Sequence, residues 1–210
     1  MINKAEELQR IYGILKEKYP DTATFLVHRN PYELMVAVIL SARTTDAQVN
    51  RVTPALFEKY PDPPSLMSAD KGDVERMVFS TGFYKTKAGN IIGAAGEVVR
   101  RFGGIVPESM EDLLTLPGVG RKSANVIRAH SFSKPAVIVD THFSRVVRRL
   151  GLTMEEDPSK IEKDIASICP GSIQTDFSMV INIHGREICY ARQPECSRCP
   201  VSGFCSFSNE

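Results

Sequence analysis

The stretch Leu116-Pro117-Gly118-Val119-Gly120-Arg121-Lys122 ends one helical pattern, Glu111 to Thr115, and opens another running from about Arg121 to Ser131. Two glycines in three residues permit a very tight turn between the helices. With no side chain at Gly118 or Gly120 the backbone can approach a ligand closely, and the N–H groups that begin the next helix form an anion site. A phosphate fits that geometry. An ordinary helix–helix corner fits it as well, and the glycines alone do not separate the two.

Outward from this turn the pattern stays helical. Apolar residues recur at helical spacing, and the only β-branched run, Val137 to Val139, is short and follows Pro135. The chain therefore reads as all-α. Asn30, Pro31 and Glu33 predict a helix start, as N-cap, first-turn proline and reciprocal capping carboxylate. The stretch they open, Leu34 to Leu40, is apolar all round and should be central and buried. Further starts are predicted at Ser109 with Asp112, at Asp157 with Pro158, and at Asp140, where the carboxylate precedes Phe143, Val146, Val147 and Leu150 at core spacing and Gly151 stops the helix.

With 210 residues, 42% of them hydrophobic, the chain can bury one large core or two small ones. Its N-terminal pattern is charged and amphipathic, with Leu8, Ile11 and Leu15 on one side, rather than a signal peptide. The run Leu34 to Leu40 falls far short of the roughly 20 residues that span a bilayer. A soluble, intracellular protein with no membrane contact is expected, in the cytoplasm or nucleoid, with a monomer as the simplest state. Net charge is only +1, but from Pro117 to Leu150 the sole acid is Asp140, among Arg121, Lys122, Arg128, Lys134, Arg145, Arg148 and Arg149. That local excess suits a polyanion, although a solvated helix face explains it too.

Four cysteines close the chain, Cys189, Cys196, Cys199 and Cys205, spaced C-x6-C-x2-C-x5-C. In an intracellular chain such clustering points to a metal centre more than to disulfides. The two-residue spacer lets one turn aim two sulfurs together. Zinc and a [4Fe-4S] cluster remain open on spacing, with paired disulfides as a third reading. The fifth, Cys169, follows Ile161, Ile165 and Ile168 and reads as a buried thiol.

Lys122 gives the hairpin chemical content. An amine at a helix N-terminus beside Arg121 lies in positive potential that disfavours its charged form, which would make it a nucleophile able to form a Schiff base. A phosphate-contacting lysine is the plainer alternative. Asp140 is the candidate partner, and an N-cap role accounts for it equally well.

Taken together, Leu116 to Ile127 (LPGVGRKSANVI), Val139 to Val146 (VDTHFSRV) and the cysteine loop closely resemble the endonuclease III family of DNA glycosylases. The likeness covers most of the chain, starting at Ile39 to Asn50 (ILSARTTDAQVN) and continuing through Thr81 to Ile91 (TGFYKTKAGNI). It implies a two-lobed helix-hairpin-helix glycosylase fold: a six-helix barrel over residues 24–134, and a cluster domain of residues 1–23 and 135–210 with its [4Fe-4S] loop at 189–205. DNA would lie across a cleft between them. The resemblance makes Lys122 and Asp140 the catalytic pair and the four cysteines the ligands of a [4Fe-4S] cluster. The partner it implies is duplex DNA carrying oxidised pyrimidines or abasic sites.

The matching DNA-contact positions are Arg43 and Phe83, which would fill the gap left by a flipped base, the hairpin residues Gly118, Val119, Gly120 and Arg121, and His142 and Arg192. Thr44, Asp46 and Asn50 lie in a pocket-side motif, with a cap or core role as the alternative for each. Arg43 departs from the glutamine common in the family, which bears on opposite-base preference. Gln193 and Glu195 stand where relatives often have basic residues. Two other functions stay open: a monofunctional glycosylase for mismatched adenine or thymine, against which Lys122 speaks, and a non-catalytic DNA-binding or redox-sensing iron–sulfur protein.

Overall fold

The computed structural model describes residues 3–207, so residues 1–2 and 208–210 of the expected cluster domain lie outside the described residues. In chain order the helices are α1 (Lys4–Lys18), α2 (Pro31–Leu40), α3 (Asp46–Lys59), α4 (Pro63–Met67), α5 (Lys71–Val78) and α6 (Tyr84–Phe102). They continue as α7 (Met110–Leu114), α8 (Arg121–Phe132), α9 (Thr141–Arg149), α10 (Pro158–Ile168) and α11 (Gln174–Glu187). Short 3-10 turns supplement them, and the described residues contain no strand. The chain is all-α. It divides into two compact units, Thr24–Lys134 and Met1–Ala23 with Pro135–Glu210.

In the unit of residues 24–134, α2 is buried at nearly every position, because its stretch Leu34 to Leu40 is apolar all round and has no face to offer to water. Asn30 caps it by accepting from the Glu33 N–H at 2.9 Å. The Glu33 carboxylate differs from its expected reciprocal role: it reaches one residue further back, accepting from the Arg29 N–H at 2.7 Å and from the Arg29 guanidinium at 2.8 and 2.6 Å. The pairing lets a nearly fully buried carboxylate keep its charge compensated. Helices α4 and α5 pack on α6, and α2 packs on α8. Asp73 of α5 collects the Tyr60 hydroxyl at 2.7 Å, Lys59 at 2.6 Å and Arg76 at 3.1 Å. These donors hold its carboxyl down to about 2, against the opposing effect of partial burial.

In the other unit, Leu8, Ile11 and Leu15 of α1 are fully buried, contributing about 1.5–3 kcal/mol each by removal of apolar surface from water. They join a core with Phe143, Val146 and Val147 of α9, Ile161 and Ile165 of α10, and Phe177, Val180 and Ile181 of α11. Phe143 and Phe177 meet edge to face with centroids 6.0 Å apart. Cys169 is buried here, and desolvation pushes its thiol up to about 12. The β-branched run Val137 to Val139 forms no ladder; the Ile138 N–H instead donates to the Ser178 hydroxyl at 2.9 Å.

Candidate functional site

The hairpin is built as its glycines require. Ser109 caps α7 by accepting from the Asp112 N–H at 3.0 Å, and the Val119 N–H closes the turn onto the Leu116 carbonyl at 3.1 Å. Gly118 has a φ of +80°, in the left-handed region that favours glycine. A Cβ there would stand 2.9 Å from the Ile39 side chain and 2.9 Å from the Asn90 amide, so the glycine also permits close packing on α2 and α6. Gly120 is the opposite case. It N-caps α8 without any side-chain bond, and a Cβ there would meet nothing within 4 Å. Leu116 and Val119 are buried, whereas Gly118, Gly120, Arg121 and Lys122 are exposed. The Lys122 amine therefore stands at the surface on the first turn of α8.

Two further candidates of this unit come together. Arg43, after α2, and Phe83, before α6, both hold positive φ, 56° and 49°, although neither is glycine. Their side chains stack, with the guanidinium carbon 4.9 Å from the ring centroid, and the ring is 60% exposed. Left-handed backbone at a non-glycine residue costs of order 1–3 kcal/mol and collects at functional sites. Under the Phe83 loop, the nearly fully buried Lys87 donates to the Thr81 carbonyl at 2.7 Å, and burial lowers its pKa. Sequence pattern does not distinguish this lysine from a surface one. Asn50 ties a neighbouring segment in place, accepting from the Val27 N–H at 3.0 Å and donating to the Phe25 carbonyl at 2.8 Å.

Asp140 and His142 belong to the other unit. One carboxylate oxygen of Asp140 caps α9, accepting from the Phe143 N–H at 2.7 Å, and the other accepts from the side-chain amide of Asn182 on α11. Asn182 carries no signal in the sequence, because it sits in an ordinary helical stretch. The His142 ring contacts the Arg145 guanidinium at 3.2 Å, and Arg145 also donates to the carbonyls of Gly185 at 2.7 Å and Cys189 at 3.0 Å. Helices α9 and α11 approach closely at Gly185, where a Cβ would stand 3.0 Å from that of His142.

None of the five cysteines is in a disulfide. Cys189, Cys196, Cys199 and Cys205 line one cavity together with Ile188, Pro194 and Phe207. A tetrahedral zinc would need its sulfurs within about 3.8 Å of one another, given a Zn–S bond of roughly 2.3 Å. No three His, Cys, Asp or Glu side chains among the described residues converge closely enough to hold a single ion. Four thiols spread around a shared cavity instead fit a polynuclear cluster. Cys199 feels this grouping: burial raises its thiol first, and the charges of Cys189, Cys205 and Cys196 raise it further. The buried His184 ring also reaches this group, its Nε2 lying 3.5 Å from the Cys199 sulfur.

A second arginine of α9 joins Arg145 in fastening the loop. Arg149, the last residue of α9, donates to the Cys189 sulfur at 3.3 Å, the Tyr190 carbonyl at 2.7 Å and the Ala191 carbonyl at 3.1 Å. Its guanidinium lies 4.2 Å from the Phe207 ring centroid, and its own carbonyl accepts from the Ser206 N–H at 3.1 Å. Both ends of the cysteine segment are thereby tied to α9. Arg192 is exposed, and the adjacent Gln193 takes a positive φ of 52°. Arg198 pairs with Glu195.

Residues 36–171 match the family described as HhH-GPD superfamily base excision DNA repair protein, and residues 189–205 match the iron-sulfur binding domain of endonuclease III. Endonuclease III of Synechocystis sp. is 47% identical over 206 residues, covering 98% of this chain and 94% of that protein. The Bacillus subtilis enzyme of the same name is 39% identical over 193 residues, covering 90% of this chain and 87% of its own. A non-covalent endonuclease III–DNA complex and a trapped endonuclease III–DNA covalent intermediate each superpose with a TM-score of 0.93 at 37% identity, over 100% of this chain and 98% of theirs. A thermostable thymine-DNA glycosylase superposes with a TM-score of 0.86 at 26% identity, over 98% and 97%. The cofactor is a [4Fe-4S] cluster, as the cysteine cavity and the matched iron–sulfur segment agree. With hairpin, cluster loop and near full-length likeness in accord, the chain belongs to the endonuclease III family of the HhH-GPD superfamily.

Proposed function

We infer that this chain is a bifunctional DNA glycosylase and abasic-site lyase of base excision repair, and we propose oxidised pyrimidines in duplex DNA as the bases it removes. The observation that carries the reading is the exposed Lys122 amine, one residue into the helix that leaves an exposed glycine turn. An anion held at that helix start brings a backbone phosphate, and with it a deoxyribose, toward the amine. Relatives of the same fold include a trapped covalent intermediate with DNA, the kind of species a lysine nucleophile forms.

A base inside a duplex is out of reach, so the nucleotide must be turned out of the stack, which costs least for a damaged, poorly stacked base. Arg43 and Phe83 would occupy the vacated space, Phe83 as an apolar wedge and Arg43 by stacking on or donating to the orphaned base. The Lys122 nitrogen attacks C1′, the glycosidic C1′–N bond breaks, and the base leaves with the bonding pair and takes up a proton. Asp140 stabilises the cationic sugar and accepts the proton shed by the attacking amine. Opening of the ring gives a protonated imine at C1′. That imine acidifies the C2′ proton; its removal expels the 3′ phosphate, breaking the strand, and water then releases the sugar fragment and the lysine.

Cys189, Cys196, Cys199 and Cys205 would hold the cluster, which supplies a fixed core for a loop with little apolar packing of its own. The loop would present Arg192 to phosphate, with Gly118, Val119, Gly120, Arg121 and His142 as the other contacts. No helix among the described residues is long and apolar enough to cross a membrane. We place the protein on DNA within the cell, working as a monomer.

Borohydride trapping on duplexes carrying thymine glycol or an abasic site tests this reading. The native chain should give a covalent adduct on both, lost in Lys122→Ala and strongly slowed in Asp140→Asn. Base release without an adduct would instead indicate a monofunctional glycosylase, and DNA binding without release or adduct a non-catalytic protein.

A further inference from the structure

Asp140 has both oxygens engaged, and the two bonds differ in kind. The bond from Oδ1 to the Phe143 N–H is a helix cap, found wherever an aspartate starts a helix. The bond from Oδ2 to Asn182 joins residues 42 apart in the sequence and serves no helix end. A carboxylate only accepts, so the amide nitrogen of Asn182 faces it and the amide oxygen points the other way. That oxygen is buried and has no hydrogen-bond partner. Leaving a polar atom in that state costs stability, and an apolar side chain of the same size would avoid the cost. The asparagine is thus a poor choice for packing α11 on α9, and the one thing its amide does is hold Asp140.

We propose that Asn182 is a positioning residue for the glycosylase and lyase reaction, locking the Asp140 carboxylate in the orientation that the chemistry at C1′ uses. This rests on the role assigned to Asp140 above. With Oδ1 fixed by the backbone of α9 and Oδ2 by the α11 amide, the plane of the carboxylate cannot turn. Loss of Asn182 leaves the cap intact but frees Oδ2 to swing toward water, since Asp140 is only partly buried. The group remains in place and its aim is lost, which lowers the rate of the bound complex rather than its affinity for DNA.

The same geometry separates this role from a structural one. Asn182→Leu removes the donor and the unpaired oxygen together while keeping the branching and the number of side-chain heavy atoms. Stability should be unchanged or higher, while the single-turnover rate on an abasic-site duplex falls about tenfold or more, with unchanged affinity for that duplex. Asn182→Asp keeps the shape, has no donor and sets a second carboxylate against Asp140, so its rate should fall at least as far. Asp140→Asn is measured alongside. If Asp140→Asn reacts at the native rate, the reading of Asp140 itself fails. If Asp140→Asn is crippled while Asn182→Leu reacts at the native rate, the positioning role is overturned. Asn182→Leu that melts earlier, or that binds DNA more weakly and reacts normally once bound, also overturns it.

Discussion

Replacing Gly118 and Gly120 by alanine, one at a time, separates what the hairpin does for the fold from what it does for DNA. At Gly118 the backbone holds a φ of +80°, where an L side chain costs about 1–2 kcal/mol. The added methyl would also stand 2.9 Å from the Ile39 Cγ2 and 3.0 Å from the Asn90 Cβ. Ile39 is buried within α2 and the Asn90 Cβ is fixed to α6, so neither can give way as the tip of a long side chain could. Overpacking of that kind adds about 1–3 kcal/mol. Gly118→Ala should lose about 3 kcal/mol, or roughly 6–12 °C in melting midpoint at 2–4 °C per kcal/mol for a chain of this size. Gly120 has extended backbone, with φ −95° and ψ 179°, and open space around its Cβ position. Alanine is a poorer N-cap but orders the unfolded chain, so Gly120→Ala should melt within about 1 kcal/mol of the native chain. Its methyl would still stand where the backbone is proposed to approach phosphate, and affinity for an abasic-site duplex should drop. Melting by helical circular dichroism and titration by fluorescence anisotropy give the two readouts. A Gly118→Ala variant within 1 kcal/mol of native would refute the rigid contact with Ile39 and Asn90. A Gly120→Ala variant of native affinity would refute close backbone approach to DNA.

Arg149→Met removes that side chain's three bonds to Cys189, Tyr190 and Ala191, leaving the Arg145 bond to Cys189, and should speed release of cluster iron to a chelator by roughly ten- to hundredfold. Arg149→Lys, which keeps the charge without the fork, should fall between, and equal release from all three proteins would refute the clamp. The Asp73 carboxyl is lowered from 3.8 to about 2 in the fold, so its contribution is complete above the unfolded value and is lost as pH falls through about 2. Asp73→Asn should flatten the fall in urea midpoint between those values, and curves that stay parallel would exclude it as a source of acid sensitivity. Arg43→Gln should change the relative rates on duplexes that differ in the base opposite the lesion, because the side chain proposed to face that base loses its charge; identical rate profiles would place Arg43 elsewhere.

How much the sequence disclosed follows from how local each interaction is. Helix starts at Asn30, Ser109, Asp140 and Asp157 were legible because a cap lies within three residues of the N–H it serves. Glu33 shows the limit even there, since the burial of its carboxylate, which sequence does not print, turned it from a reciprocal cap to a partner of Arg29. The hairpin was legible for the same local reason, and the cysteine spacing pointed to a centre. The choice between zinc and a cluster needed the cavity around which the thiols are arrayed.

Arg149 and Asn182 could not be read in advance, because each acts on a group about forty residues away. The acceptors of Arg149 include two backbone carbonyls, which are the same for any residue type and so leave no pattern in a sequence. Asn182 is one polar residue in an ordinary helical stretch, and helices tolerate single polar residues for many reasons, so nothing in the sequence marks it. Asp140 joins the two kinds of evidence in one side chain. Its capping oxygen obeys a local rule and made the residue visible, while its second oxygen is held by a long-range bond that the cap does not require. A group whose first bond is explained by secondary structure and whose second is explained by nothing in the packing is where a local reading of function stops and the fold begins to supply it.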